Sequence, residues 1–219
     1  MNAQDVADYL QSHPEFFDQY AELLNAVSLP HPHGGRAISL SERQMLTLRD
    51  KNKALELRLA ELVRFGQEND AILDRLQRWT RGLLLQRNTR LLPDALTTSL
   101  AEIFAIPSIA LRIWEAADDF ADLPVAQAVP VDVISLANQL REPYVGALTE
   151  VHACVRPLLE YLQIQSIALL PLRRGASPQP FGLLVMASSD PRRFHGGLGT
   201  EVLSRVGEIA SAALTRLLA

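Results

Sequence analysis

Ser166-Ile-Ala-Leu-Leu-Pro-Leu172 and Phe181-Gly-Leu-Leu-Val-Met-Ala187 are two apolar runs separated by Arg173 to Pro180, a stretch rich in turn residues. Short apolar runs bounded by glycine, serine and proline predict two strands joined as a hairpin. Downstream, Asp190 to Gly199 reads as a loop. Thr200 to Leu218 then reads as an amphipathic helix, with Val202, Leu203, Val206, Ile209, Ala210, Ala213, Leu214 and Leu217 turned inward.

Upstream, Ser108-Ile-Ala-Leu-Arg-Ile-Trp114 alternates. Ile109, Leu111 and Ile113 share one face of the expected strand, and Arg112 and Trp114 the other. Between this strand and the hairpin, the acidic stretch Ala117 to Leu123 reads as loop and Val131 to Leu140 as a helix ending before Pro143. Tyr144 to Leu148 reads as a short strand that neighbours the first, and 151–162 as helical around Pro157. A further short helix is expected from Leu92-Pro93-Asp94 to Phe104.

Ahead of this α+β part lies a proline-free stretch rich in Lys, Arg, Glu, Gln and Leu, reaching about Asn88. Ser39 and Glu42 have the spacing of a capping box that starts it. Met45, Leu48, Asn52, Leu55, Leu59, Leu62, Gly66, Asn69, Leu73, Leu76, Thr80 and Leu83 recur at alternating steps of three and four. That is the period of helices that wrap around a partner helix. A helix of this length runs about 75 Å at 1.5 Å per residue, so much of it needs another helix to lie against. Leu48, Asn52, Leu55, Leu59, Leu62, Asn69, Leu73, Leu76 and Leu83 are therefore the expected dimerisation positions. Asn52 and Asn69 would fix register, while Gly66 and Thr80 weaken the seam. Phe65, Ile72 and Trp79, spaced by seven, broaden the apolar face towards a bundle of several helices. The alternative is an intramolecular hairpin with residues 3–24.

Those first residues read as one or two short helices, with Val6, Tyr9, Leu10, Phe16, Phe17, Tyr20, Leu23 and Leu24 at helical spacing. Ser12 and Glu15 suggest a capping box around Pro14. The arm is too small to bury its aromatics alone, so it is expected to pack on the long helix. Charge points the same way: residues 1–35 carry five acids and no Lys or Arg, whereas 36–90 carry a net +5. Ordinary charge scatter on a solvated helix is the competing explanation. Between arm and helix, Leu29-Pro-His-Pro-His-Gly-Gly35 excludes a helix and reads as a linker.

The order of a strand ending in Pro171-Leu172, a strand opening at Gly182, and a loop bearing Arg193-Phe194 before a long helix resembles the closing half of a GAF domain. The resemblance covers about residues 90–219. The amino-terminal half, through His13-Pro-Glu-Phe-Phe17, Leu29-Pro-His31, Gly35 and Ser39-Leu-Ser-Glu-Arg-Gln44, resembles the bacterial domain-of-unknown-function family four-eight-four. That resemblance implies a GAF-like domain behind a helical arm. GAF domains bind small molecules or chromophores between sheet and helices, and some only dimerise. The cyclic-nucleotide run Asn-Lys-x-x-x-Phe-Asp is not found, and Cys154 beside His152 does not resemble a bilin-attachment context.

Composition is that of a globular protein, with 48% hydrophobic and 21% charged residues, and a single cysteine excludes an intrachain disulfide. No apolar run approaches the about 20 residues needed to span a bilayer, and the first residues lack a signal peptide's basic and apolar regions. A cytoplasmic protein, with no second catalytic domain beyond Ala219, is the expectation. His31 and His33 with His13 lack an acid or cysteine cluster, so no metal is expected. No cofactor is expected either, since no phosphate-binding loop or nucleophile elbow is present. Gly196, Gly197 and Gly199 precede a helix without a P-loop lysine and read as helix entry. Arg75, Arg78, Arg81, Arg87 and Arg90 form a basic run, but the net charge of −4 and the lack of a helix-turn-helix pattern argue against nucleic acid.

The expected ligand-binding residues are Arg112, Trp114 and Tyr144, a cation, an indole and a phenol suited to an anionic or planar metabolite. The competing placement pairs Arg112 with an acid such as Glu150 and has Trp114 cap the core. The domain reading is 1–37 for arm and hinge, 38–89 for the long helix and 90–219 for the GAF-like part. The functional expectation is a non-enzymatic homodimer that senses a small molecule and relays it to a protein partner. Its alternative is a ligand-free scaffold that recruits a partner through the arm.

Overall fold

The computed structural model describes residues 2–26, 28–30, 37–159, 163–195 and 200–218. The architecture is α+β and falls into two compact units, Met1–Asn69 and Asp70–Ala219. The first unit holds α1 (Ala3–Ser12), α2 (Phe16–Gln19), α3 (Ala21–Ala26), β1 (Ser28–Pro30), β2 (Ala37–Ser39) and the start of α4 (Leu40–Leu85). The capping box lies at the start of α1, not at Ser12. Asn2 Oδ1 accepts from the Asp5 amide at 2.8 Å, and the Asn2 amide donates to Asp5 Oδ2 at 2.7 Å. Ser12 is still helical, so its hydroxyl donates back to the Asp8 carbonyl at 2.7 Å, and Glu15 makes no side-chain cap.

The arm's aromatics pack on one another. Tyr9 stacks on His13 at 4.4 Å, and Phe16 meets Phe17 at 5.5 Å and Tyr20 at 4.9 Å. Among the described residues none of α1 or α2 is buried, and no acid of the arm pairs with α4, so the expected docking on the long helix is not seen. The rings satisfy each other locally instead. Leu29 and Pro30, read as linker, pair with Ile38 and Ala37 in an antiparallel ribbon. Residues 31–35 of that linker and the side chains of Ser39 and Glu42 lie outside the described residues.

The second unit begins inside α4, ahead of the boundary at 90 read from the sequence. The reason is burial: Leu76, Trp79 (0% exposed) and Leu83 (2%) enter its core. The Trp79 indole donates to the Leu96 carbonyl at 3.3 Å, so its one polar atom is satisfied. Next come α5 (Leu92–Phe104), with Pro93 in its first turn, and β3 (Ser108–Ile113). They are followed by α6 (Val131–Gln139), β4 (Tyr144–Gly146), β5 (Ser166–Arg173), β6 (Pro180–Ser188) and α7 (Glu201–Leu214). Glu150–Leu158 is a 3₁₀ stretch where a helix was expected, and 160–162 lie outside the described residues. The expected carboxy-terminal helix closes at Leu214, and Thr215–Leu217 tightens into a 3₁₀ turn.

The sheet is antiparallel with order β3-β6-β5-β4. Both its faces are covered. Ala168, Leu170, Leu172, Leu184 and Met186 face α5, α7 and the end of α4. Ile167, Leu169, Leu183, Val185 and Ala187 face Val133, Leu136 and Ala137 of α6 and Val155. Gly182 sits between Ile113 and Leu172, and a Cβ there would come within 2.6 Å of the Arg112 carbonyl. Backbone cannot move aside as a flexible side chain does, so only glycine fits. Arg193 and Phe194 anchor the loop after β6. Arg193 donates to the Phe104 carbonyl at the end of α5, and Phe194 is buried in the core.

Replacing Trp79 by Ala is expected to lower stability by about 3–5 kcal/mol in urea unfolding. An unchanged midpoint would show that the end of α4 is not part of the core. Ala105 ends α5 in the left-handed region at φ 53°, while the Ile106 amide reaches the Ala101 carbonyl at 2.9 Å. Ala105→Gly should therefore stabilise by about 0.5–1 kcal/mol in the same measurement; a loss of stability would refute the strain.

Candidate functional site

Arg112 lies on β3 and Trp114 just beyond it, both on the α6 side of the sheet. The Trp114 amide extends the ladder by donating to the Phe181 carbonyl at 3.0 Å, and its indole Nε1 donates to the Pro180 carbonyl at 2.9 Å. Arg112 Nη1 donates to the Leu111 carbonyl at 2.8 Å and makes no ion pair with Glu150. Tyr144 is on β4, which is not a neighbour of β3: the two are opposite edges of the sheet. Three strand spacings separate them, about 14 Å, so the three residues do not converge on one cavity as expected. The sequence gives strands but not their order, and β6 and β5 came between.

Around Tyr144 the contacts are local. Its hydroxyl donates to the Ala147 carbonyl at 3.1 Å, and its ring lies 4.1 Å from that of His152. His152 is 8% exposed, and its Nδ1 is 2.8 Å from Thr149 Oγ1. Burial lowers the His152 pKa, favouring the neutral ring. Burial, and then the charge of Asp132, push the Cys154 thiol up, which disfavours the reactive thiolate.

Among the described residues, the concave surfaces of the second unit include one of about 450 Å³ between α6 and the Glu150–Leu158 stretch, beside Asp132 and Cys154, and three others. A groove of about 700 Å³ runs along the free edge of β3, lined by Ser108, Arg112, Pro124, Val125, Gln127 and Leu158. A second, of about 410 Å³, lies between α4 and α7 and includes Leu73, Leu76, Thr80, Leu84 and Ile209. The third, of about 450 Å³, opens just ahead of β4, and Arg141, Arg173 and Glu208 are on its wall. Sequence reasoning missed this last one. Its signal was the pair Pro143 and Pro171, which interrupts strand pairing.

The expected dimer seam divides. Met45, Leu48 (61% exposed), Leu55, Leu59 and Leu62 (66%) are exposed apolar side chains in the first unit. Leu76 and Leu83 lie in the core of the second unit, and Leu73 is half-buried on the groove of α4 and α7. Asn52 and Asn69 are exposed. Thr80 satisfies its hydroxyl on the Leu76 carbonyl at 2.8 Å. His13 Nδ1 is 3.0 Å from the Tyr9 carbonyl, while His31, His33 and Gly196 to Gly199 lie outside the described residues. No described helix is long and apolar enough to cross a membrane.

A four-stranded antiparallel sheet with α5 and α7 on one face and α6 on the other is a GAF-like fold. The unit resembles the crystal structure of the GAF domain from Acinetobacter phosphoenolpyruvate-protein phosphotransferase. That match has a TM-score of 0.50 and 12% identity, covering 66% of this chain and 92% of that one. The chain belongs to the family described as "Protein of unknown function, DUF484", whose match spans residues 1–218. It is 25% identical to the uncharacterized protein YigA of Salmonella typhimurium over 232 residues, 96% of this chain and 90% of the relative. YigA of Escherichia coli K12 is 26% identical over the same coverage.

The lowered His152 pKa sets a pH dependence. The unfolded chain takes up a proton near the ordinary value of 6.5, whereas the folded chain resists until lower pH. Stability is therefore full above about pH 6.5 and falls as the pH drops below it. His152→Asn, which keeps a hydrogen-bonding group towards Thr149, should flatten that decline in urea unfolding on either side of this pH. An equal slope in both proteins would locate the titration elsewhere.

Proposed function

We propose that this chain is a non-enzymatic regulatory module that works as a homodimer. In this reading α4 pairs with α4 of a second copy, and the GAF-like unit senses a small molecule and relays its state along α4 to a protein partner. The carrying observation is the exposed stripe Met45, Leu48, Leu55, Leu59 and Leu62 at heptad spacing on one helix. Each leucine withdrawn from water contributes about 1.5–3 kcal/mol, so a stripe left open in a single copy favours pairing strongly. Asn52 within it suits register selection. Leu73, Leu76 and Thr80 prolong the stripe into the groove beside α7, which supports a bundle rather than a bare two-stranded coil. The same helix supplies Trp79 to the domain core, which gives a relay a physical start. The groove at Arg112 falls within the size range of small-molecule sites.

The ligand-free scaffold is favoured by one observation: apolar side chains fill the layer between sheet and α6, and the polar tips of Trp114 and Tyr144 are bonded to backbone. Native mass spectrometry of the full chain separates the readings. A dimer carrying a small-molecule increment supports sensing, and a bare dimer that loses partner capture when residues 1–36 are removed supports the scaffold. Combining Leu55→Lys, Leu59→Lys and Leu62→Lys is expected to weaken dimerisation at least about a hundredfold while the GAF-like unit keeps its unfolding midpoint. A wild-type monomer would overturn the seam.

A further inference from the structure

The β4–β5 ladder pairs Tyr144 with Leu169, Val145 with Ala168 and Gly146 with Ile167. Carried one step further, the same register sets Pro143 opposite Leu170, then Glu142 opposite Pro171. Neither proline has an N–H to give, so the ladder cannot continue. The strands part there, over the middle of α7, and the space between them is the cavity of about 450 Å³. On the α7 side its wall includes Gly207, which has no side chain, and Ser211, whose side chain is small, and together they leave room.

Arg173 is held firmly at this opening. Its Nε donates to the Pro178 carbonyl at 3.2 Å, its Nη2 to the Leu140 carbonyl, and its backbone amide to Ser211 Oγ at 3.1 Å. Carbonyls orient the guanidinium but do not neutralise it. Among the described residues no carboxylate forms an ion pair with it, although it is half-buried. A partly desolvated cation without a counter-charge is costly, and an incoming carboxylate would offset that cost. Arg141 adds a second guanidinium to the same wall. Glu142 and Glu208 stand on it too, exposed and without an ion-pair partner among the described residues. Two carboxylates would repel a plain polyanion.

We propose that this cavity binds a small zwitterion of the α-amino-acid type, its carboxylate on Arg173 and Arg141 and its ammonium on Glu208 and Glu142. Arg173 presents fixed donors suited to a carboxylate, and the acids select for the amino group. The volume lies in the range of small-ligand sites. The site is on the α7 side of the sheet's end, distinct from the groove at Arg112. It supplies a ligand class to the sensing reading above, but binding there does not require the α4 seam.

The test is calorimetric titration of the full chain with each proteinogenic L-amino acid, and with the deaminated acid and decarboxylated amine of any that bind. The expected result is saturable binding of at least one amino acid at millimolar concentration or below, at least about tenfold tighter than either truncated analogue. Glu208→Gln should weaken the amino acid about tenfold and leave the deaminated acid unchanged, and Arg141→Gln should weaken both. Both residues are exposed, so folding should survive, as the unfolding midpoints will show. No saturable heat from any probe overturns the proposal, as does binding that survives both substitutions. Dimer mass recorded on the same samples separates this outcome from failure of the seam.

Discussion

The pairing of β5 with β6 is the constraint on which the second unit depends. These two strands occupy the middle of the sheet, and their side chains are buried on both faces. β3 and β4 extend their ladder outward, and α5, α6 and α7 exist as covers for one face or the other. Gly182 marks how tightly β3 joins β6, since the backbone of β3 passes where a side chain would begin. The loops that follow are tied back to this centre. Ser166 Oγ donates to the Asp190 carbonyl at 2.6 Å, and the Ala117 amide reaches the Leu217 carbonyl at 2.9 Å, stitching the chain's last turn to the strand edge.

The long helix has two chemically different lives. Its end is a structural member of the GAF-like unit, with Trp79 fully buried and Arg216 donating to the Gln86 carbonyl at 3.2 Å just past it. Its earlier turns carry leucines on the surface, together with the Arg64–Glu68 ion pair. That pair is exposed on both sides and contributes little; the apolar stripe is the feature with energetic weight. The helix is therefore core at one end and open at the other.

The candidate sites show how a sheet converts sequence into geometry. The alternation along Ser108 to Trp114 was legible, and Arg112 and Trp114 do share a face. Tyr144 does begin a strand, as its sequence context implies. Their separation was not legible, because strand order depends on which edges find partners across long stretches of chain. The cavity at Arg173 was hidden for the same reason. Pro143 and Pro171 are far apart in sequence, and only the register of β4 on β5 brings their missing donors together.

By itself the sequence determined the elements: the apolar hairpin, the proline-led α5, the amphipathic α7 and the heptad stripe, since each follows from periodicity and local backbone chemistry. It also determined the positions of Pro171, Gly182 and Arg193-Phe194 that mark the GAF-like closing half. Only the tertiary structure decided where α4 stops being a free helix and becomes core, because that turns on Trp79 finding Leu96 across a turn of chain. It also decided that the arm packs on its own rings, that β3 and β4 are opposite edges, and that Arg173 faces a cavity with no ion-paired carboxylate among the described residues. These are long-range relations, set by which surfaces bury each other, and no local pattern encodes them.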